Sequence, residues 1–254
     1  MQIATWNVNS VRARMLRLIP WLEQHAPDVV CLQETKCLDE RFPREPIEEL
    51  GYNIATFGQK TYNGVAILSK RPIEDVRCGL PGDAEDDAKR VIAAAIEDLL
   101  LLNVYVVNGE RVGSDKYDLK LAWLQRLAEY VAQYDMSEKL IVTGDFNCTF
   151  DDRDVYDPEG WRERILCSTP EREALARVME PGLHDAFRKF HEQAGYYTFW
   201  DYRTRGYERG NGLRIDHLLM SEPALEVCTG VFIDSEARGG EKPSDHAPVI
   251  ATLD

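Results

Sequence analysis

Asn7 follows the apolar run IATW, Glu34 follows VVCLQ, Tyr105 lies in LLLLNVYVV, and Asp145 and Asn147 follow LIVTG. Asp216 and His246 stand at or just before the starts of later runs. Oxygen ligands, one imidazole and further carboxylates are what metal-assisted hydrolysis of a phosphodiester needs. Such a site must neutralise the phosphoryl oxygens, aim a water and stabilise the leaving alkoxide. Glu34 is a hard oxygen ligand suited to Mg²⁺, and Asn7 can hold a metal-bound water or ligate through its amide oxygen. His246 can donate to the phosphate, with a carboxylate such as Asp216 fixing its tautomer and raising its pKa. Asp145 can act as general base or orient the water, Asn147 can donate to the phosphoryl oxygen as charge builds, and Tyr105 offers a phenolic donor. Each has a plain reading when taken alone. A glutamate after a strand is usually a solvated turn residue, and Asp145-Phe146-Asn147 is first of all a turn, since Asp and Asn bond their own backbone. Asp245-His246, between Pro243 and Pro248, reads first as a surface pair. Only the set points to chemistry.

The elements that must position this set are legible as nine short runs rich in Val, Ile and Leu: QIATW, VVCLQ, GVAILS, VIAAAI, LLLLNVYVV, LIVTG, RIDHLLM, TGVFI and APVIATL. Each has strand length, and turn formers such as Tyr62-Asn63-Gly64 and Pro81-Gly82-Asp83 separate many of them. Helical spacing appears from Arg12 to His25, with Met15, Leu18, Ile19 and Leu22 on one face and Pro20 as an irregularity. A second helix runs from Ser114 to Tyr134 with Leu121, Leu124, Ala128 and Val131 inward, and Thr169-Pro170-Glu171 resembles a cap followed by a first-turn proline. Strands outnumber helices without one-to-one alternation. That favours two mixed sheets packed face to face with outer helices over a doubly wound parallel sheet. In such a sandwich, strand ends and strand starts can meet on one rim. No repeat and no Gly/Ser/Pro linker divides the chain, so a single domain over 1–254 is expected.

The 254 residues, 44% of them hydrophobic, suffice for a large core. No stretch approaches the roughly 20 apolar residues of a membrane span. The start lacks the basic-then-apolar pattern of a secretory signal, so a soluble, cytoplasmic chain is expected. Six scattered cysteines without C-x-x-C spacing signal neither a disulfide frame nor a zinc site. A net charge of −14 excludes broad electrostatic attraction to nucleic acid. Any such role needs a local basic face, for which Arg12, Arg14 and Arg17, then Arg203, Arg205, Arg209 and Arg214, are the candidates.

WNVNS, LQETK, YNGVAILSK, VYVVNG, GDFNCTF, YYTFWDYRTRG, NGLRIDHLLMS and KPSDHAPV follow one another in an order that resembles exonuclease III and the related apurinic/apyrimidinic endonucleases of the endonuclease/exonuclease/phosphatase superfamily. The resemblance runs from residue 2 to about 253. It implies a four-layer α/β sandwich of the DNase I-like kind. It also implies Mg²⁺- or Mn²⁺-dependent hydrolysis 5′ to abasic sites in double-stranded DNA, often with 3′-phosphatase, 3′-phosphodiesterase or 3′ to 5′ exonuclease activity on blocked 3′ ends. No obligate protein partner, no membrane and a monomer are expected. Carried over by position, Asn7, Glu34 and Asp245 match the metal site, to which Asp145 and Asn147 also contribute. Tyr105 matches the phosphate-contacting tyrosine, Asp145 the catalytic aspartate, Asn147 its transition-state partner, and Asp216 and His246 the aspartate–histidine pair.

Residues matching Phe199, Leu213 and Ile215, with Trp200 beside them, imply a small apolar pocket for a flipped abasic sugar; the alternative is that these aromatics plug the core. Asn9 stands where some relatives carry a metal-binding aspartate. VYVVNG lacks the proline many relatives have after tyrosine, which puts the loop from Asn108 to Lys120 in question. His217 could compete with His246 for Asp216, although strand alternation should turn it to the other face. Two other classes compete with the nuclease. An inert binding module on the same fold should have lost site residues that are all present here, and the GLRID and TFWDYR segments count against a phosphatase or sphingomyelinase acting on small or lipid phosphoesters.

Overall fold

The computed structural model describes residues 1–84 and 87–254. Its strands are β1 (Gln2–Asn7), β2 (Val29–Gln33), β3 (Asn53–Phe57), β4 (Val65–Ser69), β5 (Glu74–Cys78), β6 (Val91–Ile96), β7 (Leu99–Tyr105), β8 (Lys139–Asp145), β9 (Leu183–Asp185), β10 (Asp216–Ser221), β11 (Cys228–Ile233) and β12 (Val249–Leu253). They form two six-stranded sheets in the orders β11-β12-β1-β2-β4-β3 and β5-β6-β7-β8-β10-β9. Both are mixed, because β1 runs parallel to β2 and β7 parallel to β8 while the other neighbours are antiparallel.

Parallel neighbours cannot be joined by a tight turn, and each pair is bridged by one of the two expected long helices. The helix Val11–His25 opens where the Ser10 hydroxyl accepts from the Ala13 amide at 3.4 Å, and Pro20 lies within it without ending it. Its buried face is Val11, Leu18, Trp21 and Leu22, so the stripe is turned toward Trp21 at one edge while Met15 and Ile19 at the other are only partly covered. The helix Asp115–Val131 opens on Ser114, whose hydroxyl accepts from the Tyr117 amide at 3.3 Å. A third helix, Thr169–Met179, is capped one residue before the expected threonine: Ser168 donates its amide and hydroxyl to Glu171 Oε2 at 3.2 and 2.6 Å.

Three apolar layers follow from strand alternation. Ile3, Cys31, Ile67, Leu101, Ile141, Leu218 and Ala251 fill the space between the sheets. Trp6, Val30 and Leu32 pack outward on Leu18 and Leu22, and Leu102, Leu140 and Val142 pack outward on Leu124, Leu127 and Leu175. The architecture is therefore helix, sheet, sheet, helix, the four-layer sandwich that was expected. At one end the inter-sheet positions turn polar. Gln33 Nε2 donates to Thr5 Oγ1 at 2.9 Å and across to Asn103 Oδ1 at 2.7 Å, while Asn103 Nδ2 reaches the carbonyls of Leu32 and Ala66 at 3.0 and 2.8 Å. These bonds link the two sheets just beneath the rim. The cysteines are all free thiols, and no helix among the described residues is long and apolar enough to cross a membrane.

Candidate active site

The same alternation that places Ile3, Leu101 and Ile141 between the sheets places Asn7, Tyr105 and Asp145 there four residues later. Tyr105 pairs in register with Asp145, and Asp145 with Asp216 at the start of antiparallel β10. Asn7 pairs with Gln33, so Glu34 is the first residue past β2, and His246 arrives just ahead of β12. Strand ends from one direction and strand starts from the other meet on one rim, as the sequence implied.

The backbone around this rim departs from ordinary geometry. Asn9, Ser10, Glu34, Lys36 and Asn147 all have positive φ, between 44° and 84°. Left-handed backbone at non-glycine residues is disfavoured and persists only where surrounding bonds enforce it. Here the Ser10 amide bonds Glu34 O at 2.7 Å, and the Lys36 amide bonds Asn63 O at 2.9 Å. Gly144 carries the tightest constraint: a Cβ there would lie 1.9 Å from Val104 O, so the glycine before Asp145 is what lets β8 approach β7. The His246 segment is fastened to β1 by Ser244, whose hydroxyl donates to Asn7 O at 2.6 Å, and by Trp6 Nε1, which donates to His246 O at 3.1 Å.

The side chains form one connected network. His246 Nδ1 lies 2.8 Å from Asp216 Oδ2, and His246 Nε2 lies 3.8 Å from Asp145 Oδ2, too long for a hydrogen bond. Asp145 accepts from Asn7 Nδ2 at 2.9 Å, from the Asn147 amide at 2.8 Å and from Asn147 Nδ2 at 3.2 Å. Asn7 Nδ2 also donates to Glu34 Oε1 at 2.9 Å, where Tyr105 adds its hydroxyl at 2.9 Å. Because both partners of Asn7 Nδ2 are carboxylates, the amide orientation is fixed, and its oxygen accepts from the Asn9 amide instead of facing the site. Lys36 Nζ bridges Glu34 Oε2 at 2.6 Å and Asn9 Oδ1 at 2.6 Å, and Asn9 Nδ2 donates to Asp245 Oδ1 at 2.9 Å.

Titration follows from burial and neighbours. Burial, with Asp216 nearby and against the pull of His246, pushes the Asp145 carboxyl up to about 7. Burial alone would lower His246, but the Asp216 and Asp145 carboxylates outweigh it and hold the imidazolium up to about 10. Burial would raise Glu34, yet Lys36 and the Asn7 amide keep it below the usual carboxylate range. Asp145, Asp216 and His246 bring ligand atoms within 4.8 Å of one another. Asp216 Oδ1 is buried with no hydrogen-bond partner among the described residues. A set of carboxylate oxygens and one imidazole, without a thiolate, fits a hard divalent cation.

His217 does not compete. Its Nε2 lies 2.8 Å from Cys148 O and its Nδ1 lies 3.1 Å from Arg214 Nη1, on the opposite face of β10 as alternation requires. Phe199 bridges to His246, its ring 5.0 Å from the imidazole, while Trp200 is buried edge-on against Tyr207. Leu213 and Ile215 lie beneath Phe199, packed against Val155, Leu166 and Cys167. The candidate basic face is smaller than expected. Arg214 is 1% exposed and paired with Asp154 at 2.7 Å and Asp185 at 2.6 Å, Arg17 binds the carbonyls of Ala237 and Gly239, and Arg203 pairs with Asp201 at 2.9 Å. Sequence reading missed Arg90, whose guanidinium lies 4.6 Å from the Tyr105 ring and donates to Tyr105 O at 3.1 Å. Its signal was the hairpin register, since Val91 pairs with Val104 and so sets Arg90 opposite Tyr105.

This constellation on two packed mixed sheets defines a hydrolase of the nuclease and phosphatase class. The chain belongs to the endonuclease/exonuclease/phosphatase family, whose model matches residues 4–246. It is 39% identical to exodeoxyribonuclease III of Haemophilus influenzae, over 99% of each chain. Among solved structures it is similar to the Neisseria 3′ phosphatase NExo bound to a product DNA hairpin, with 42% identity, TM-score 0.97, and 100% and 99% of the two chains covered. An AP endonuclease from Archaeoglobus fulgidus is similar at 39% identity and TM-score 0.96, over 100% and 99% of the chains.

Proposed function

We propose that the protein is a DNA-repair nuclease of base excision repair. It hydrolyses phosphodiesters 5′ to abasic sites in duplex DNA and clears blocked 3′ ends, with Mg²⁺ as the working ion and Mn²⁺ as a substitute. The supporting observation is the buried His246–Asp216 pair set against Asp145, whose own carboxyl is raised to about 7. A base poised near neutral pH beside a fixed imidazolium suits attack of water on a phosphodiester. Asp145 takes a proton from the water whose oxygen bonds phosphorus, the bond from phosphorus to the 3′ oxygen breaks, and that oxygen leaves as an alkoxide that is then protonated. His246 Nε2, which no side chain among the described residues accepts from, donates to a phosphoryl oxygen, and Asp216 holds the ring through Nδ1. Glu34 and Asp145, which share the Asn7 amide, and Asp245, bonded to Asn9, are the residues that would hold the cation, while Asp216 and His246, though within ligand reach of Asp145, are committed to each other; Asn7 and Asn147 fix the carboxylates, and when bound the cation supplies charge neutralisation at the phosphoryl group. Tyr105 and Asn147 have their donors committed to Glu34, to Asp145 and to Val106 O, so their part in this reading is to orient carboxylates until substrate arrives.

A reading restricted to 3′ ends is favoured by one observation. Leu213 and Ile215, the floor of the implied sugar pocket, are only 2% and 1% exposed beneath Val155, Leu166 and Cys167. Cleavage of a labelled duplex carrying one tetrahydrofuran abasic analogue, with Mg²⁺ or EDTA and beside a duplex ending in a 3′-phosphate, separates the two. Mg²⁺-dependent incision 5′ to the analogue is expected. Removal of the 3′-phosphate alone would restrict the enzyme to 3′ ends, and no reaction on either would overturn the proposal. The single domain over 1–254, a monomer without an obligate partner, and a cytoplasmic setting belong to the same proposal.

A further inference from the structure

Lys120 is fully buried on the inner face of the helix Asp115–Val131, in a position where a long cation is rare unless paired. An ammonium has three protons to donate, and all three have partners here. Lys120 Nζ donates to Asn147 O at 2.6 Å, to Asn108 O at 3.2 Å and to the Glu171 carboxylate. The two carbonyls belong to asparagines whose side chains also bond each other, Asn108 Nδ2 to Asn147 Oδ1 at 2.8 Å. The other face of Asn147 bonds Asp145 through its amide at 2.8 Å and Val106 O through Nδ2 at 3.0 Å. Glu171 accepts in turn from the Leu166 amide at 3.1 Å and from Ser168 at 2.6 Å. Gly109 makes room for the passage, since a Cβ there would meet Lys120 Cδ at 3.0 Å.

We infer that Lys120, neutralised by Glu171, is a positioning residue for the reaction: it clamps the Asn108 and Asn147 backbones together and so fixes the donors that hold Asp145 in line. The inference rests on the reading of Asp145 and Asn147 as part of the hydrolytic site. A purely structural account would need only an apolar contact at this point. Replacing a buried ion pair by apolar residues of similar volume commonly leaves a fold intact, whereas here it would release two backbone carbonyls beside the base. The left-handed φ of 48° at Asn147 gives that release a direction, because the residue is held in a conformation it does not favour alone.

The test uses the Mg²⁺-loaded protein on whichever of the two duplexes above it cleaves. The double variant Lys120→Met, Glu171→Leu removes the pair without leaving a lone buried charge, and its thermal midpoint and circular dichroism report whether the fold is kept. The expected result is a folded protein with KM changed by less than about twofold and kcat lowered by about tenfold or more. Lys120→Met, Glu171→Leu is then combined with Asn147→Ala. If Lys120 acts through Asn147, the combined loss in kcat is smaller than the product of the two separate losses, a non-additivity that a scattered loss of stability would not produce. Unchanged kcat in the folded double variant, or full additivity with Asn147→Ala, would overturn the inference. Should the double variant not fold, the single change Lys120→Arg, which keeps the cation and alters its reach, gives the same kcat-against-KM reading. Asn147→Ala with normal kcat would instead overturn the reading of the site on which the inference stands.

Discussion

At the scale of single residues, Asp145 and His246 make the sharpest predictions. Asp145→Asn keeps the size of the side chain but removes its ability to take a proton. It is expected to bind duplex normally and to lose turnover by about 100-fold or more, which single-turnover kinetics with a binding titration will check. The pH profile follows from the shifts. Asp145 must be deprotonated to accept a proton, so kcat/KM rises with pH as its carboxyl ionises, at about 7 without the cation and lower once a cation it helps to hold is bound. His246 must be protonated to donate, so kcat/KM falls again as pH passes about 10. A bell that loses its acidic limb in Asp145→Asn is the expected outcome; an acidic limb kept in that variant would assign the base elsewhere. Phe199→Ala removes the ring against His246 and is expected to weaken selectivity for the abasic analogue over intact duplex more than overall duplex affinity, as competition between the two will show. Glu34, Asp145, Asp216 and His246 were legible in the sequence because each sits at the edge of an apolar run. The partner choices of Asn7 and Asn9 were not, since which atom of an amide faces which neighbour depends on contacts across 27 to 236 residues.

At the scale of elements, the strands that composition revealed are, apart from the half-exposed edge strand β11, those buried on both faces. β5, EDVRC, is exposed along its length, β3 is half polar, and β9 has only three residues, so none carries an apolar pattern and all three were missed. They lie at or beside sheet edges, where burial does not dictate residue type. Arg214 was misjudged for the opposite reason: its charge suggested a surface, but it ties the start of β10 to Asp154 and Asp185 from inside. This network also makes a stability prediction. Burial and the Arg214 guanidinium push His217 from 6.5 down to about 4. The unfolded chain therefore binds a proton that the folded one refuses, and stability falls as pH drops from about 6.5 through 4. Burial would raise Asp154, but Arg214, His217 and Arg188 overcome it and hold the carboxyl at about 2. Its contribution is complete above the unfolded value of 3.8 and lost as pH falls toward 2. Asp154→Asn is expected to cost on the order of 3 kcal/mol at neutral pH and to flatten the acid limb of the melting temperature below pH 4; an unchanged limb would place the acid sensitivity elsewhere.

For the molecule as a whole, the four-layer sandwich could be anticipated from strand count and the absence of regular alternation, but the order of strands within each sheet could not. Periodicity reports which face of a strand is covered and says nothing about its neighbour. Net charge bears on DNA binding in the same global way. Of the seven arginines considered for a basic face, Arg214 is buried in ion pairs and Arg17 is held by two backbone carbonyls, while Arg203 is exposed and pairs only with nearby Asp201, which leaves five to meet phosphates. Duplex affinity measured against salt is accordingly expected to show a log–log slope of roughly −4.5, whereas a slope near −8 would reveal a larger cationic surface than these residues supply. One feature bears on how such an enzyme comes into being. β1 is made first, yet one of its two neighbours is β12, and Trp6 meets the His246 carbonyl across 240 intervening positions. Asp145 and Glu34 are both synthesised before the imidazole that stands beside Asp145. The rim is therefore complete only once β12 has closed against β1, which makes that long-range pairing a condition for bringing the imidazole to the two carboxylates.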